Sequence, residues 1–114
     1  MTDCLFCKII EKAIPAKIEY EDEHLVVIHD INPQAPFHVL LIPKRHIARI
    51  ADLEESDLAV VSRLIFRAKK IAEAKKFFEA GYRLVFNSGA DGGQTVFHIH
   101  LHLLAGRPMR WPPG

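Results

Sequence analysis

His98, His100 and His102 alternate with Ile99, Leu101 and Leu103 in the stretch Val96-Phe-His-Ile-His-Leu-His-Leu-Leu104. Alternation at every second residue is the period of a β-strand, whose successive side chains point to opposite faces. One face then buries aliphatic groups and the other aligns three imidazoles, each roughly 7 Å from the next. Imidazole titrates near neutrality and serves as nucleophile, proton carrier or metal ligand. Against phosphorus it is a good nucleophile, because the P–N bond it forms stays reactive toward water. Such catalysis needs a nucleophile, a proton donor for the leaving group and donors for the equatorial oxygens. Neighbouring histidines on one strand face supply the first two.

The third requirement points to Gly89-Ala-Asp-Gly-Gly-Gln-Thr95, directly before the histidines. A glycine-rich turn lets backbone N–H groups approach an anion closely without any lysine. Thr95 has the parity of Phe97, so strict alternation points it away from the imidazole face. Its hydroxyl joins the site only if the backbone bulges, which Gly92-Gly93 permits. Asp91 and Asp30 read as turn formers or ligand contacts rather than a metal pair.

Cys4 and Cys7, the only cysteines, are spaced C-x-x-C. The thioredoxin-like βαβ context that redox chemistry requires is missing, and a structural disulfide does not suit a reducing compartment. What remains is half of a zinc site, which needs two further ligands.

The elements that must position these groups follow in order. Leu5, Phe6, Ile9 and Ile10 give Cys4 to Lys12 the spacing of a short amphipathic helix, stopped by Ala13-Ile14-Pro15. Residues 17–21 and 25–29 read as strands joined by Asp22-Glu23-His24, and 30–36, with two prolines, as a loop. Phe37 to Pro43 is a strong strand with His38 near its start. Asp52 to Phe78 carries helical periodicity, with Ser56 or Asp52 placed to cap its start and Gly81 fitting beyond its end. Its lysines and arginines form a solvated face. Tyr82 to Asn87 is a further strand, and Arg107 to Gly114 a proline-rich tail with Trp111. Five strands with one long and one short helix predict one α+β domain over residues 1–114, built on an antiparallel sheet.

At 114 residues and 49% hydrophobic, the chain can build a core without disulfides. Fifteen basic residues against 14 acidic leave a net charge of +1, which argues against a nucleic-acid surface or a basic membrane patch. No basic n-region precedes an apolar run and no segment is long enough to span a bilayer, so a cytoplasmic protein is expected.

The His98-Ile-His100-Leu-His102-Leu-Leu signature resembles the histidine-triad nucleotide-binding proteins, and in particular their purine nucleoside phosphoramidase branch. The similarity extends through Lys8-Ile-Ile, Ile14-Pro-Ala-Lys, His29-Asp30-Ile, Pro33-Gln-Ala-Pro, Ile42-Pro-Lys, Asn87, Asp91-Gly-Gly-Gln94 and Trp111-Pro-Pro-Gly114. It implies hydrolysis of the P–N bond of purine nucleoside 5′-phosphoramidates in two steps. His100 would attack the α-phosphorus and form a nucleotidyl-histidine, which water then resolves to the nucleoside monophosphate. His102 would contact the phosphate and help protonate the leaving amine, and His38 would orient the histidines. Asn87, the Gly93 backbone and Thr95 would touch the phosphoryl group, and Asp30 would accept from the ribose hydroxyls. Leu5, Phe6, Ile9, Ile28, Ile31 and Leu40 would form the base pocket.

The resemblance completes the cysteine pair as well. Related proteins, including the galactose-1-phosphate uridylyltransferases, hold zinc with C-x-x-C plus two histidines, here His46 and His98. Cys4, Cys7, His46 and His98 would be a closed structural zinc site, with no catalytic cofactor. The family further implies a homodimer whose sheets join into ten strands, with Trp111 reaching toward the partner's site. Two positions depart from the pattern: Thr95 stands where serine is common, and Ser88 where a larger acidic residue is. Two other readings remain open in the sequence: a dinucleoside polyphosphate hydrolase, which the tail disfavours, and a nucleotide-binding or scaffold protein with incidental hydrolysis.

Overall fold

The computed structural model describes residues 3–114. Among them are helix α1 (Leu5–Ile10), strands β1 (Ile18–Glu21), β2 (Leu25–His29) and β3 (Phe37–Pro43), helix α2 (Leu58–Ala74), and strands β4 (Arg83–Val85) and β5 (Leu101–Ala105). The strands form one antiparallel sheet in the order β1-β2-β3-β5-β4.

Both faces of the sheet are covered, and residue parity decides which. Leu25, Val27, Val39, Leu41, Leu101 and Leu103 pack against Leu64, Ala68 and Ile71 of α2. Val26, Ile28, Leu40 and Ile42 pack against Phe6 and Ile9 of α1. His38, His100 and His102 share the parity of Leu40 and Ile42, so they face the α1 side. Leu40 pairs with His102 across β3 and β5, which sets His38 diagonally beside it.

The bounds of β2 and β3 match the expectation; α1 and β1 are trimmed slightly, to Leu5–Ile10 and Ile18–Glu21, and three other elements differ more. The histidine strand is shorter than residues 96–104, since ladder pairing begins only at Leu101. The alternation persists, with Ile99, Leu101 and Leu103 all buried. Pairing with β3 stops because Pro43 has no N–H to continue the ladder. Ile99 N–H instead donates to Ile47 O at 2.7 Å.

The long helix spans 58–74 rather than 52–78. Two 3-10 turns, Ile50–Asp52 and Glu55–Asp57, precede it, and a reciprocal Glu54–Asp57 capping box occupies the place expected of Ser56 or Asp52. Lys76, not Gly81, ends it. Its φ is +65°, with Lys76 N–H on Glu73 O and Phe77 N–H on Ala72 O, a Schellman termination. The fourth strand shrinks to Arg83–Val85, at the sheet edge.

Candidate functional site

Two of the site's five histidines, His46 and His98, converge with Cys4 and Cys7 where the β3–α2 connection meets the start of β5 and the α1 N-terminus. Cys4 caps α1, its Sγ accepting from Cys7 N–H at 3.4 Å. His98 Nε2 donates to Pro43 O at 2.7 Å, which leaves the Nδ1 lone pair free. That atom lies 3.4 Å from Cys4 Sγ, 3.6 Å from Cys7 Sγ and 3.1 Å from His46 Nδ1, and Cys7 Sγ is 3.4 Å from His46 Nδ1. Tetrahedral zinc with ordinary bond lengths would separate sulfur from nitrogen by about 3.6 Å and nitrogen from nitrogen by about 3.4 Å. The donor set therefore fits one tetrahedral cation with no position left open. Burial, then Cys4's hydrogen bond and charge, pushes the Cys7 thiol up to about 11. Burial likewise takes His98 down to about 4. Two cysteine sulfurs and two imidazole nitrogens packed this closely suit a metal better than they suit protons.

The other three histidines form a directed relay. Gln34 N–H donates to His38 Nδ1 at 3.0 Å, so the His38 proton sits on Nε2. His38 Nε2 donates to His102 Nδ1 at 2.9 Å, which puts the His102 proton on its own Nε2. His100 Nδ1 donates to His98 O at 2.8 Å, which leaves His100 Nε2 unprotonated. Burial lowers the pKa of His38 and His100, and that of His102 to about 4, so all three rings are neutral at pH 7. The site thus offers one free imidazole lone pair and one N–H donor on adjacent rings, whose centroids are 5.0 Å apart.

His100 and His102 border a cavity of about 510 Å³ that Leu5, Phe6, Ile9, Ile28, Asp30, Ile31, Leu40 and Thr95 also line. That volume lies within the usual range for small-molecule sites, about 300–1,000 Å³. Its apolar wall is α1 and β2, its acidic end is Asp30, and its floor is the imidazole pair. Asp30 Oδ2 is 3.5 Å from His38 Nε2, and Asp30 Oδ1 accepts from Asn32 N–H.

The family model described as scavenger mRNA decapping enzyme C-term binding matches residues 3–111. A crystal structure of a HIT family hydrolase from Legionella pneumophila is 54% identical, covers 98% of this chain and 100% of that one, and superposes with a TM-score of 0.97. The chain belongs to the histidine triad family. An uncharacterized HIT-like protein of Synechocystis is 49% identical over 98% of this chain and 97% of its own length. A 14 kDa zinc-binding protein of Zea mays is 47% identical over 96% of this chain and 87% of its own.

Within this histidine triad chain, three anticipated site residues stand apart from the cavity lining: His38, which is buried behind His102, and two expected phosphate contacts. Asn87 and Gly93 adjoin each other, the Asn87 amide nitrogen lying 3.9 Å from where a Gly93 Cβ would be. Gly93 N–H donates to Ala90 O at 3.0 Å, a turn bond that must open before this amide can serve a phosphate. Thr95 and Val96 both border the cavity, so the chain bends there and strict alternation is relieved. Phe6 does more than line the cavity: its ring packs edge-on against His100 and His98, at 5.0 and 6.0 Å. Trp111 is 83% exposed.

Several contributors were not anticipated. Ile14, Pro15, Ala16 and Lys17 border the cavity, because the link from α1 to β1 folds over its mouth. The Ile14-Pro-Ala-Lys motif was the available signal. Gln94 is buried and braces the glycine loop: its Oε1 accepts from Gly89 N–H, and its Nε2 donates to Ala48 O and Val96 O.

Proposed function

We propose that this protein hydrolyses the P–N bond of purine nucleoside 5′-phosphoramidates through a nucleotidyl-histidine intermediate. One observation carries the reading: the hydrogen-bond directions leave His100 Nε2 as a bare lone pair and His102 Nε2 as a donor on the same cavity. The His100 lone pair attacks the α-phosphorus and the bond to the amine breaks. The amine leaves with a proton that His102 delivers. Water then attacks phosphorus, the P–Nε2 bond breaks, the nucleoside monophosphate departs and a proton returns to His102. The anionic phosphoryl group of bound substrate favours protonated His102, which its own burial otherwise opposes.

The remaining residues take parts suited to their surroundings. Leu5, Ile9, Ile28, Ile31 and Leu40 sandwich the purine, and Asp30 accepts from the ribose hydroxyls. Thr95, with Asn87 and Gly93 after a small loop rearrangement, holds the phosphoryl oxygens. Cys4, Cys7, His46 and His98 hold a structural zinc that ties α1 to the strand carrying His100; similarity to the 14 kDa zinc-binding protein of maize supports that metal. Two chains pair through the open edge strand β4, where Leu84 is exposed, and Arg83 anchors the tail leading to Trp111 by donating to Arg110 O. No helix among the described residues is long and apolar enough to cross a membrane, and a zinc–thiolate set suits the reducing cytoplasm in which we place the protein.

The deciding experiment is a single turnover of an adenosine phosphoramidate, quenched in alkali and weighed as intact protein. An adenylyl adduct mapping to His100 is expected. Product formed with no adduct, even on the fastest accessible timescale, would replace covalent catalysis with direct water attack. Faster cleavage of a dinucleoside polyphosphate than of the P–N substrate would move the assignment to that hydrolase class.

A further inference from the structure

Arg107 lies outside the cavity, just beyond β5, yet its guanidinium forks onto a single backbone oxygen. Its Nε and Nη2 donate to Gln34 O at 3.2 and 2.9 Å, while Nη1 donates to Pro108 O at 2.9 Å. The segment it grips, Asn32-Pro33-Gln34-Ala35-Pro36, has two prolines without N–H groups and so few means of holding its own shape. Gln34 Nε2 on Asn32 O, at 3.0 Å, is one of them. A second contact brings the tail onto the same segment. Gly106 has φ +101°, and a Cβ there would come within 2.9 Å of Pro36 Cβ. The chain leaving β5 therefore turns in a conformation glycine favours and lies against the loop.

We propose that Arg107 is a positioning residue for the histidine relay: by clamping Gln34 O it keeps Gln34 N–H on His38 Nδ1, which fixes the proton on His38 Nε2 and leaves His102 Nδ1 an acceptor. The consequence follows from the ring chemistry. If Gln34 drifts, His38 can carry its proton on Nδ1, and its Nε2 lone pair then faces that of His102 Nδ1 across 2.9 Å. His102 relieves the clash by moving its own proton to Nδ1. Its cavity-facing Nε2 is then bare, and the leaving amine loses its donor. The clamp also gives the Asp30, His38 and His102 cluster its character. These ligand atoms lie within 4.8 Å of one another, a metal-like spacing. With its proton held on Nε2, His38 makes the cluster a hydrogen-bond relay instead.

The activity arm of the test rests on the proposed phosphoramidase reading; the spectroscopic arm does not. Zinc-loaded protein would be compared with its Arg107→Ala and Arg107→Lys variants by long-range proton–nitrogen correlation of the histidine rings at pH 7.5. Wild type should show His38 protonated at Nε2 alone, and Arg107→Ala a mixture with the Nδ1 form. With an adenosine phosphoramidate, Arg107→Ala should lose about tenfold in kcat with KM changed less than about twofold, and Lys, which supplies one donor, should recover part of it. An unmixed Nε2 tautomer in Arg107→Ala overturns the proposal whatever happens to the rate. A mixed tautomer with unchanged kcat overturns the catalytic role. If wild type cleaves no phosphoramidate, the proposed function fails, and the tautomer alone decides whether Arg107 positions the relay.

Discussion

His100 Nδ1 sits 2.8 Å from the carbonyl oxygen of His98, two residues back along the same chain. The backbone of one metal-cage residue thereby fixes the tautomer of the next histidine and bares its Nε2. If that lone pair is the nucleophile, His100→Ala should lower single-turnover P–N cleavage by at least about a thousandfold. Titration calorimetry with a nucleoside monophosphate should still detect binding, since the apolar wall and Asp30 remain. Cleavage within tenfold of wild type would eliminate His100 as nucleophile.

The Cys4, Cys7, His46 and His98 donors predict one tightly held zinc per chain, measured by elemental analysis of protein purified without chelator. Cys7→Ser should abolish it and lower the urea midpoint, because α1 then keeps its apolar packing, chiefly Phe6 and Ile9, without the metal tether. The Cys7 thiol, raised to about 11 without metal, must lose its proton to bind, so metal affinity should fall as pH drops from 8 to 6. Full zinc content in Cys7→Ser would remove that residue from the ligand set.

Gln94 makes three hydrogen bonds while buried, and Gln94→Ala leaves Ala48 O, Val96 O and Gly89 N–H without it. A loss of about 3 kcal/mol in urea unfolding is expected. The glycine loop should loosen with it, so kcat/KM for the phosphoramidate should fall about tenfold in the folded variant. Kinetics indistinguishable from wild type would mean that the loop takes no part in phosphate binding.

The parity of His98, His100 and His102 against Ile99, Leu101 and Leu103 placed the histidines on the correct face from sequence alone, because one buried face enforces the alternation. The limits of β2 and β3 were legible for a different reason: each is a short continuous apolar run between turn residues, as a strand buried on both faces must be. The point where β5 starts pairing was not: it depends on Pro43 and Ile47, some fifty residues upstream, and no local pattern encodes that. Periodicity carries α2 to Phe78, with Gly81 beyond it as the residue that favours the left-handed conformation, but the helix stops at Ala74 and Lys76 takes that conformation under the Schellman bonds. Gln94 and Arg107 escaped notice as actors because a lone buried amide and an exposed cation have no periodicity, and their worth lies wholly in distant carbonyls. The reach of Ile14 to Lys17 over the cavity likewise depends on how the α1–β1 link folds back.

Burial first, then the charges of His100 and His38, lowers His102 to about 4 from an ordinary 6.5. As pH falls through 6.5, the unfolded chain takes up this proton before the folded one does. Stability from neutral His102 is therefore complete above pH 6.5 and drains away between 6.5 and about 4. At about 1.4 kcal/mol per pH unit the loss over that window has an upper bound of about 3 kcal/mol, reduced by the solvent that reaches the partly buried ring. His102→Gln, which keeps an amide donor and acceptor but cannot titrate, should show a shallower decline in urea-derived stability between pH 7 and 4.5. Parallel declines in the two proteins would mean that His102 takes up its proton equally in the folded and unfolded chains, and would remove the burial effect that keeps its N–H donor neutral in the relay.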